Sequence, residues 1–316
     1  MNDALLAATA QQLHKANRLA VVSHIHPDGD AIGSLLGFGL ALQAAGKQVV
    51  MVSADGVPAT YKFLIGVEQV VTSLHGDFDA IVAVDCSDVS RFGNALAGYG
   101  LPDVNIDHHI TNDKYARVNL VDSQAVATAE IMAVLLPFAG FPINQPAARA
   151  LLTGLVTDTL GFRTANMTPK AFRVAASLLE FGIDLPEIFQ NTLVEHSFEA
   201  VRFWAAGLNR IERCGGMAWT SLTLEDRKSA GYSGRDDADL INVLSSITDI
   251  EIAIIFVEQV RNRVKVSWRA RPGLDVSRIA LNFGGGGHPA AAGAEIHGAL
   301  PDVRERVLKA TQMIEK

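Results

Sequence analysis

The sequence has few cysteines, no excess of positive charge and no long apolar run. Only two cysteines, Cys86 and Cys214, occur among 316 residues, and their spacing matches no zinc site. The formal net charge is −7, which argues against a basic surface for long nucleic acid. Apolar stretches stop well short of the roughly 20 residues that a membrane-spanning helix needs. These absences predict a cytoplasmic protein in a reducing compartment, with no membrane association and no long nucleic acid as a partner.

The first half of the chain alternates short apolar segments with helical patterns. The apolar segments are uniformly hydrophobic, as expected for strands that are covered on both faces. Such alternation is typical of an α/β fold with a doubly wound, mostly parallel sheet. The predicted strands are Leu19–Ser23, Gln48–Val52, Ala80–Val84 and Val104–Ile106, and helices are predicted over 31–45 and 90–97.

The length and a change of pattern predict two domains. We expect a catalytic domain over residues 1–186, ending at Asp184-Leu185-Pro186, and a linker helix over 187–212. A smaller α/β domain is expected over 213–316, with predicted strands at Met217–Leu222, Glu251–Glu258 and Val264–Ala270. The active site is expected in the cleft between the domains.

Two histidines and two aspartates follow the first predicted strand within seven residues: His24, His26, Asp28 and Asp30. Strand ends are where α/β proteins expose polar groups. Burying carboxylates this close together is costly without a cation, and a divalent metal would remove that cost. A hydrated loop at a strand end is the alternative for this segment alone.

Acidic residues and histidines recur after the later apolar segments. Asp85 follows the third predicted strand, Asp107-His108-His109 follows the fourth, and Asp158 interrupts a later apolar segment. A single aspartate after a strand is more often a helix cap, but four such segments together favour a site. Four carboxylates (Asp28, Asp30, Asp85 and Asp158) could neutralise two divalent ions, with His24 and His108 as nitrogen ligands. Two ions that share a carboxylate suit hydrolysis at phosphorus.

These motifs resemble the DHH phosphoesterase superfamily, and especially its NrnA-type oligoribonucleases and 3′-phosphoadenosine-5′-phosphate phosphatases. The resemblance covers essentially the whole chain, including a C-terminal DHH-associated domain. It rests on four motifs that occur in the family's order: His24-x-x-x-Asp28-x-Asp30, Asp85, Asp107-His108-His109 and Asp158.

The resemblance implies a role for each motif residue. His24 and Asp28 would hold one metal, Asp30, His108 and Asp158 the other, and Asp85 would bridge the two. His109 would face the scissile phosphate, and Asp107 would orient an imidazole. His26 departs from this scheme and is expected to face substrate or lie at the rim. The ions would be two divalent metals, with Mn²⁺ favoured and Mg²⁺ or Co²⁺ as alternatives.

A run of four glycines, Gly284–Gly287, precedes His288 in the C-terminal part. Bare backbone lets a ligand approach closely, although a flexible loop is the alternative. In the family that this chain resembles, the matching loop binds the phosphate or sugar of a nucleotide. This implies substrate contacts from Gly285, Gly286, Gly287 and His288.

Three further residues are candidates for substrate binding. Ser267 and Arg269 share one side of a predicted strand, and Trp268 is expected to pack on the other. By resemblance, Arg269 would grip the terminal phosphate of a short RNA, which suits the planar guanidinium. Arg163, which follows the Asp158 segment, is a third candidate.

The sequence therefore predicts a two-metal phosphohydrolase. It would cleave short oligoribonucleotides or linear dinucleotides to mononucleotides, remove the 3′-phosphate of 3′-phosphoadenosine-5′-phosphate, or do both. One alternative is an inorganic pyrophosphatase or polyphosphatase of the same superfamily, whose members lack the glycine run. Another is a non-catalytic nucleotide-binding module, which should lack a metal ligand. A homodimer is also a possible state of the protein.

Overall fold

The structure, a computed structural model, describes residues 2–312 in two compact units that divide between Glu195 and His196. Each unit has its own sheet and its own buried apolar residues. The predicted α/β class, with a parallel N-terminal sheet and a smaller second α/β unit, is confirmed. No helix within residues 2–312 is both long and apolar enough to cross a membrane.

The N-terminal unit contains a six-stranded parallel sheet in the order β3-β2-β1-β4-β5-β6. The order reverses direction between β1 and β4, as in doubly wound folds. Two strands were not predicted, β3 because it has two residues and β6 because asparagine interrupts its apolar pattern. The strands are β1 (Arg18–Val22), β2 (Gln48–Val52), β3 (Val70–Val71), β4 (Ala80–Val84), β5 (Val104–Asp107) and β6 (Val118–Val121).

Residues 2–195 contain six α-helices: α1 (Asp3–Lys15), α2 (Gly29–Ala44), α3 (Thr128–Phe138), α4 (Gln145–Asp158), α5 (Pro169–Leu179) and α6 (Leu185–Phe189). The backbones of α2 and α4 approach closely at Gly33. A Cβ atom there would lie 2.5 Å from the carbonyl oxygen of Ala150 and 2.7 Å from the nitrogen of Gly154. Glycine therefore permits this crossing, which brings the first turn of α2 near the last turn of α4.

The helix predicted over 90–97 is wrong. The structure has a short 3₁₀ helix at Val89–Phe92, and Gly93 follows it with a φ of 55°. Phe92 and Ala95 nevertheless pack with Cys86 in a buried cluster, so the segment's apolar pattern reflects burial and not an α-helix. The buried position of Cys86 agrees with a packing role.

The residues predicted as one linker helix over 187–212 form separate elements. After α6, Gln190–Val194 make a π-helical turn, and Glu195 is extended. Ser197 then caps a new helix, α7 (Phe198–Leu208), by accepting a hydrogen bond from the Ala200 N–H. An N-cap residue has an extended backbone, so Ser197 ends any preceding helix and begins a new one.

The C-terminal unit has a mixed sheet in the order β11-β12-β10-β9-β8-β7, in which only β8 and β9 are parallel neighbours. The strands are β7 (Glu212–Cys214), β8 (Met217–Leu222), β9 (Ile252–Gln259), β10 (Arg263–Ala270), β11 (Gly286–His288) and β12 (Ala291–His297). Besides α7, its helices are α8 (Leu224–Ala230), α9 (Leu240–Ser245), α10 (Ser277–Asn282) and α11 (Leu300–Thr311).

Candidate metal centre

The candidate site lies at the carboxyl ends of β1, β4 and β5, beside the point where the strand order reverses. This is where open α/β sheets bind ligands, because the connections on the two sides lead away and leave a crevice. His24 follows β1, Asp85 follows β4, and His108 follows β5. The parallel topology thus gathers residues that are far apart in sequence.

The loop after β1 supplies His24 and Asp28. The Oδ1 atom of Asp28 caps α2 by accepting hydrogen bonds from the N–H groups of Asp30 and Ala31, at 3.1 and 3.0 Å. Its Oδ2 atom lies 3.9 Å from His24 Nε2. The helix-cap and ligand interpretations of Asp28 are therefore compatible, because they use different oxygens.

Asp30 is buried in the first turn of α2. It accepts hydrogen bonds from the N–H groups of Thr128 and Ala129 at the start of α3, and from the Ser34 hydroxyl at 3.1 Å. Its Oδ2 atom also lies 3.9 Å from His108 Nε2. These contacts fix the carboxylate and satisfy the otherwise unpaired N-terminus of α3.

Asp85 occupies the centre of the site. Its φ of 54° is unusual for a residue other than glycine, and its side chain is fully buried. Such a conformation costs free energy and is typical of functional positions. The Thr128 hydroxyl donates a hydrogen bond to Oδ1 at 2.9 Å.

The two oxygens of Asp85 face different groups. Oδ2 lies 3.6 Å from His24 Nε2, whereas Oδ1 lies 3.7 Å from His108 Nε2. On the other side of His108, Asp158 Oδ2 approaches the same Nε2 to 3.5 Å. Asp158 is the last residue of α4, so a helix end completes a set that otherwise comes from strand ends and α2.

Three sets of ligand atoms therefore share Asp85, and the third joins it to Asp107 and His109. The first contains His24, Asp28 and Asp85, the second contains Asp30, Asp85 and His108, and the atoms of each set lie within 4.8 Å of one another. His24 Nε2 and Asp85 Oδ2 are buried and have no hydrogen-bond partner within the described residues. The Ile25 carbonyl oxygen lies 2.7 Å from His24 Nδ1 and can only accept, so Nδ1 carries the ring proton and Nε2 is an acceptor. A cation between Nε2 and Asp85 Oδ2 would satisfy both acceptors. The residues thus fit the binding of metal ions.

The pKa shifts point the same way. Burial lowers the pKa of His24 to about 4, so its imidazole is neutral near pH 7 and can offer a lone pair. Burial and the neighbouring carboxylates Asp30 and Asp28 raise the pKa of Asp85 well above its usual value. Burial likewise raises the pKa of Asp158 to about 7. These shifts record the cost of crowded like charges, which a bound cation would remove.

His109 pairs with Asp107 beside this cluster. Its Nδ1 lies 2.7 Å from Asp107 Oδ1. Burial opposes ionisation of both groups, but their mutual attraction and hydrogen bond outweigh it, so the pKa of Asp107 falls and that of His109 rises. Because the Asp107 carboxylate can only accept, Nδ1 carries the proton that joins the pair.

Two residues predicted to bind substrate lie outside these sets. The His26 side chain is 67% exposed and faces Asp55, whose carboxylate accepts a hydrogen bond from the His26 N–H at 2.7 Å. Arg163 is exposed, and its Nε donates to the carbonyl oxygen of Leu160 at 2.8 Å. The structure thus places His26 in an exposed loop and Arg163 at a turn after α4.

The remaining candidates belong to the C-terminal unit. Ser267 and Arg269 share the partly exposed face of β10, whereas Trp268 is fully buried and donates a hydrogen bond to Thr311. The inward packing expected of Trp268 is therefore confirmed. His288 ends β11 and pairs with Ala291 of β12.

The glycine run has a partly structural explanation. A Cβ at Gly285 would lie 2.1 Å from the carbonyl oxygen of Gly293, and one at Gly287 would lie 2.5 Å from that of Ala291. Gly284 has a φ of 75°. Only Gly286 has neither restriction, because a Cβ there would meet no atom within 4 Å. Of the four glycines, Gly286 is thus the one that neither packing nor backbone conformation requires to be glycine.

Sequence reasoning missed three polar residues around the site. Thr128 contacts Asp85, the Arg91 guanidinium lies 3.0 Å from His24 Nδ1, and Asn112 donates a hydrogen bond to Asp107. Thr128 and Arg91 follow the nearest motif at distances that carry no local signal. Only the four-residue gap between His108 and Asn112 is short enough to have suggested proximity.

Comparisons with known proteins agree with this geometry. The N-terminal domain of the DHH family matches residues 18–155, and the DHHA1 domain matches residues 223–315. The chain is 35% identical to the bifunctional oligoribonuclease and PAP phosphatase NrnA of Thermus thermophilus, across 92% of this chain and 88% of the relative. It is 25% identical to NrnA of Bacillus subtilis, across 87% and 88%.

A solved structure has a similar fold. The crystal structure of an exopolyphosphatase-related protein from Bacteroides fragilis superposes with a TM-score of 0.87 at 25% identity, covering 99% of this chain and 96% of that one. Both domain matches, the long alignment to the Thermus relative and this superposition agree. The chain belongs to the DHH family.

Proposed function

We propose that this chain is a metal-dependent phosphohydrolase that cleaves short oligoribonucleotides or linear dinucleotides to mononucleotides and removes the 3′-phosphate from 3′-phosphoadenosine-5′-phosphate. The observation that carries the proposal is that Asp85 joins two ligand sets, one with His24 and Asp28 and the other with Asp30 and His108. The names of the NrnA relatives support the substrate class.

In this proposal, the site would hold two divalent ions, with Mn²⁺ the favoured metal. His24 and Asp28 would hold one ion, Asp30, His108 and Asp158 would hold the other, and Asp85 would serve both. When bound, the ions supply Lewis-acid chemistry and offset the negative charge of the phosphate. The imidazole and carboxylate donors suit Mn²⁺, which accepts both ligand types.

His109 is proposed as the proton donor to the leaving oxygen. The Nδ1–H group donates a hydrogen bond to the Asp107 carboxylate, so Nε2 is the atom proposed to exchange a proton with substrate. The raised pKa of His109 keeps this group protonated nearer to neutral pH. General acids with a pKa near the working pH contribute about 10²- to 10⁴-fold to the rate.

The C-terminal unit is proposed to bind the nucleotide. Arg269 would hold a terminal phosphate, with Ser267 and the backbone around Gly286 close to it. Ser267 lies opposite Gly293, and Gly293 lies opposite Gly286, so these positions share one face of the sheet. Arg269, two residues after Ser267, belongs to the same face. Roles for His288, Arg163 and His26 in substrate binding remain further parts of the proposal.

The test is a rate comparison with purified protein and Mn²⁺. The substrates are a 5′-phosphorylated diribonucleotide, a longer oligoribonucleotide, 3′-phosphoadenosine-5′-phosphate and pyrophosphate. We expect turnover of the first and third that a chelator abolishes and Mn²⁺ restores. Turnover of pyrophosphate alone would favour the pyrophosphatase alternative, and no metal-dependent turnover of any substrate would contradict the proposal.

A further inference from the structure

Asn112, in the turn that follows β5, has a hydrogen-bond partner for every polar group of its side chain. Its Nδ2 donates to Asp107 Oδ2 at 2.6 Å and to the carbonyl oxygen of Cys86 at 3.2 Å. Its Oδ1 accepts from Asn105 Nδ2 at 3.0 Å and from the Lys114 N–H at 2.7 Å. The side chain therefore ties the loop after β4 to the loop after β5.

The chemistry of these partners fixes the orientation of the amide. A carboxylate and a carbonyl oxygen can only accept, so they require the NH₂ group of Asn112. The Lys114 N–H can only donate, so it requires the amide oxygen. A flipped amide would place acceptor against acceptor at Asp107 and Cys86 and donor against donor at Lys114.

This orientation divides the two oxygens of Asp107 between two tasks. Oδ2 receives the hydrogen bond from Asn112, whereas Oδ1 accepts from the His108 N–H at 2.8 Å and from His109 Nδ1 at 2.7 Å. Asp107 is fully buried. Without Asn112, Oδ2 would be left unsatisfied away from water, and rotation of the carboxylate would be the cheapest way to recover a partner.

We propose that Asn112 is a positioning residue that acts through Asp107 to hold the His109 imidazole in place. The inference rests on the proposed function, in which His109 meets the substrate. Tyr115 supports the same network from outside, because its hydroxyl donates to the Cys86 carbonyl oxygen at 2.8 Å. If Asn112 only stabilised the turn, its loss would lower stability but would not change the orientation or hydrogen bonding of His109.

The kinetic test compares Asn112→Ala and Asn112→Asp with Asn119→Ala. Asn119 is the matched control, since its amide also closes a loop, with Ala116 at 3.1 and 2.6 Å, but does not touch Asp107. On the diribonucleotide with Mn²⁺, we expect kcat of Asn112→Ala to fall about 10- to 100-fold with KM nearly unchanged. Asn119→Ala should stay close to wild type.

Asn112→Asp tests the loss of the amide donors at nearly constant side-chain size. It keeps the size of the side chain and the acceptor for Asn105 and Lys114, but loses both donors and places a second carboxylate beside Asp107. We expect a loss of kcat at least as large as that of Asn112→Ala and a lower melting temperature, because the new carboxylate repels the buried Asp107. Mn²⁺ affinity close to wild type would then show that the site is still folded at the assay temperature.

A spectroscopic measurement separates this inference from the proposed function. In ¹⁵N-histidine-labelled protein, the Nδ1–H signal of His109, assigned by its loss in His109→Ala, should be shifted downfield by the bond to Asp107. It should move upfield or vanish in Asn112→Ala and persist in Asn119→Ala. An unchanged signal together with unchanged kcat overturns the inference. If wild type shows no turnover, the proposed function fails, and this signal alone then decides the link between Asn112 and His109.

Discussion

Individual residues of the candidate centre are held in place by neutral hydrogen-bond donors. Asp30 accepts from two backbone N–H groups and Asp85 from a hydroxyl, yet none of these donors carries a full positive charge. Burial therefore still raises the pKa of each carboxyl group. The site is organised by the fold, but its charge is left to be balanced by a ligand.

The first prediction concerns pH and the stability of the metal-free protein. The pKa of Asp158 is 3.8 in the unfolded chain and about 7 in the folded state, so the folded state binds more protons between these values and loses stability as pH rises. His24 acts oppositely, but only between about 4 and 6.5, where its unfolded form is still protonated. Above pH 6.5 the carboxylates dominate.

We therefore expect the melting temperature of metal-free protein to fall by at least about 2–4 °C between about pH 6.5 and pH 8. Asp158→Asn should flatten this dependence. Added Mn²⁺ should reverse its sign, because metal binding improves as the ligands lose their protons. A melting temperature that rises with pH in the absence of metal would contradict the raised carboxyl pKa values.

The second prediction gives Asp85→Asn opposite effects with and without metal. The amide keeps the shape and an acceptor for Thr128, and it removes a buried charge that Asp30 and Asp28 oppose. Without metal, we expect a higher melting temperature than that of wild type. Added Mn²⁺ should raise the melting temperature of the variant by less than it raises that of wild type. Turnover should fall more than about 100-fold, which exceeds the usual effect of residues that only contact metal ligands. Calorimetry measures the melting temperatures, and steady-state kinetics measures turnover. A metal-free melting temperature below that of wild type would contradict this prediction.

The identity of the ligand types was predictable from the sequence, but their supporting residues were not. Aspartate and histidine after apolar segments indicate a metal site because few other arrangements make their burial tolerable. Thr128 and Arg91 carry no comparable signal. A threonine at a helix start and an arginine in a loop are common, and only the folded chain brings them to Asp85 and His24.

At the scale of elements, the crossing of α2 and α4 controls the distance between Asp30 and Asp158. The third prediction is that Gly33→Ala destabilises the protein by about 1–3 kcal/mol through overpacking against the backbone of Ala150 and Gly154. Helix propensity alone would favour alanine by about 1 kcal/mol, so the sign of the change is informative. Denaturant unfolding measures it.

Gly100→Ala is the control for this prediction, because a Cβ there would meet no atom within 4 Å. We expect a change within about 0.5 kcal/mol. If Gly33→Ala were as stable as this control, the close approach of α2 and α4 would not be needed. The Mn²⁺ affinity of Gly33→Ala should also fall, since α2 carries Asp30.

The fourth prediction separates packing from ligand binding in the glycine run. Gly286→Ala should leave the melting temperature unchanged, because the space beside it is open, and should raise KM by about tenfold or more if substrate approaches there. Gly285→Ala should instead lose stability, since its Cβ would collide with the Gly293 carbonyl oxygen. Arg269→Ala provides the positive control for KM. If the KM of Gly286→Ala equalled that of wild type, this loop would not be part of the substrate site.

At the scale of the whole molecule, the chain divides at an exposed segment between α6 and α7. Glu195, His196 and Ser197 are all exposed, and Glu195 ends the first compact unit. The fifth prediction is that limited digestion by a glutamate-specific protease first cuts after Glu195 and releases fragments 1–195 and 196–316. Mass spectrometry identifies the fragments.

Glu195→Gln should slow this cleavage strongly, while Glu199→Gln, within helix α7, should not. A first cut inside either unit would show that the boundary lies elsewhere. The sequence predicts that the first domain ends at 186, at the turn signal Asp184-Leu185-Pro186, and that residues 187–212 form a linker. The division between the two units falls inside that predicted linker, whereas Asp184-Leu185-Pro186 cap and begin α6. Local chemistry marks the start of a helix, whereas a unit's boundary depends on which contacts that helix makes.

The sequence by itself determined the alternation of strands and helices, the family and the residue types of the centre. These follow from local hydrophobic pattern and from short motifs whose chemistry is carried by neighbouring residues. The tertiary structure decided how the site is assembled. The strand order brings Asp85 between His24 and His108, the glycine crossing brings in Asp158, and Thr128 reaches Asp85 from the start of α3. No local pattern encodes such contacts, because they depend on how separate elements pack.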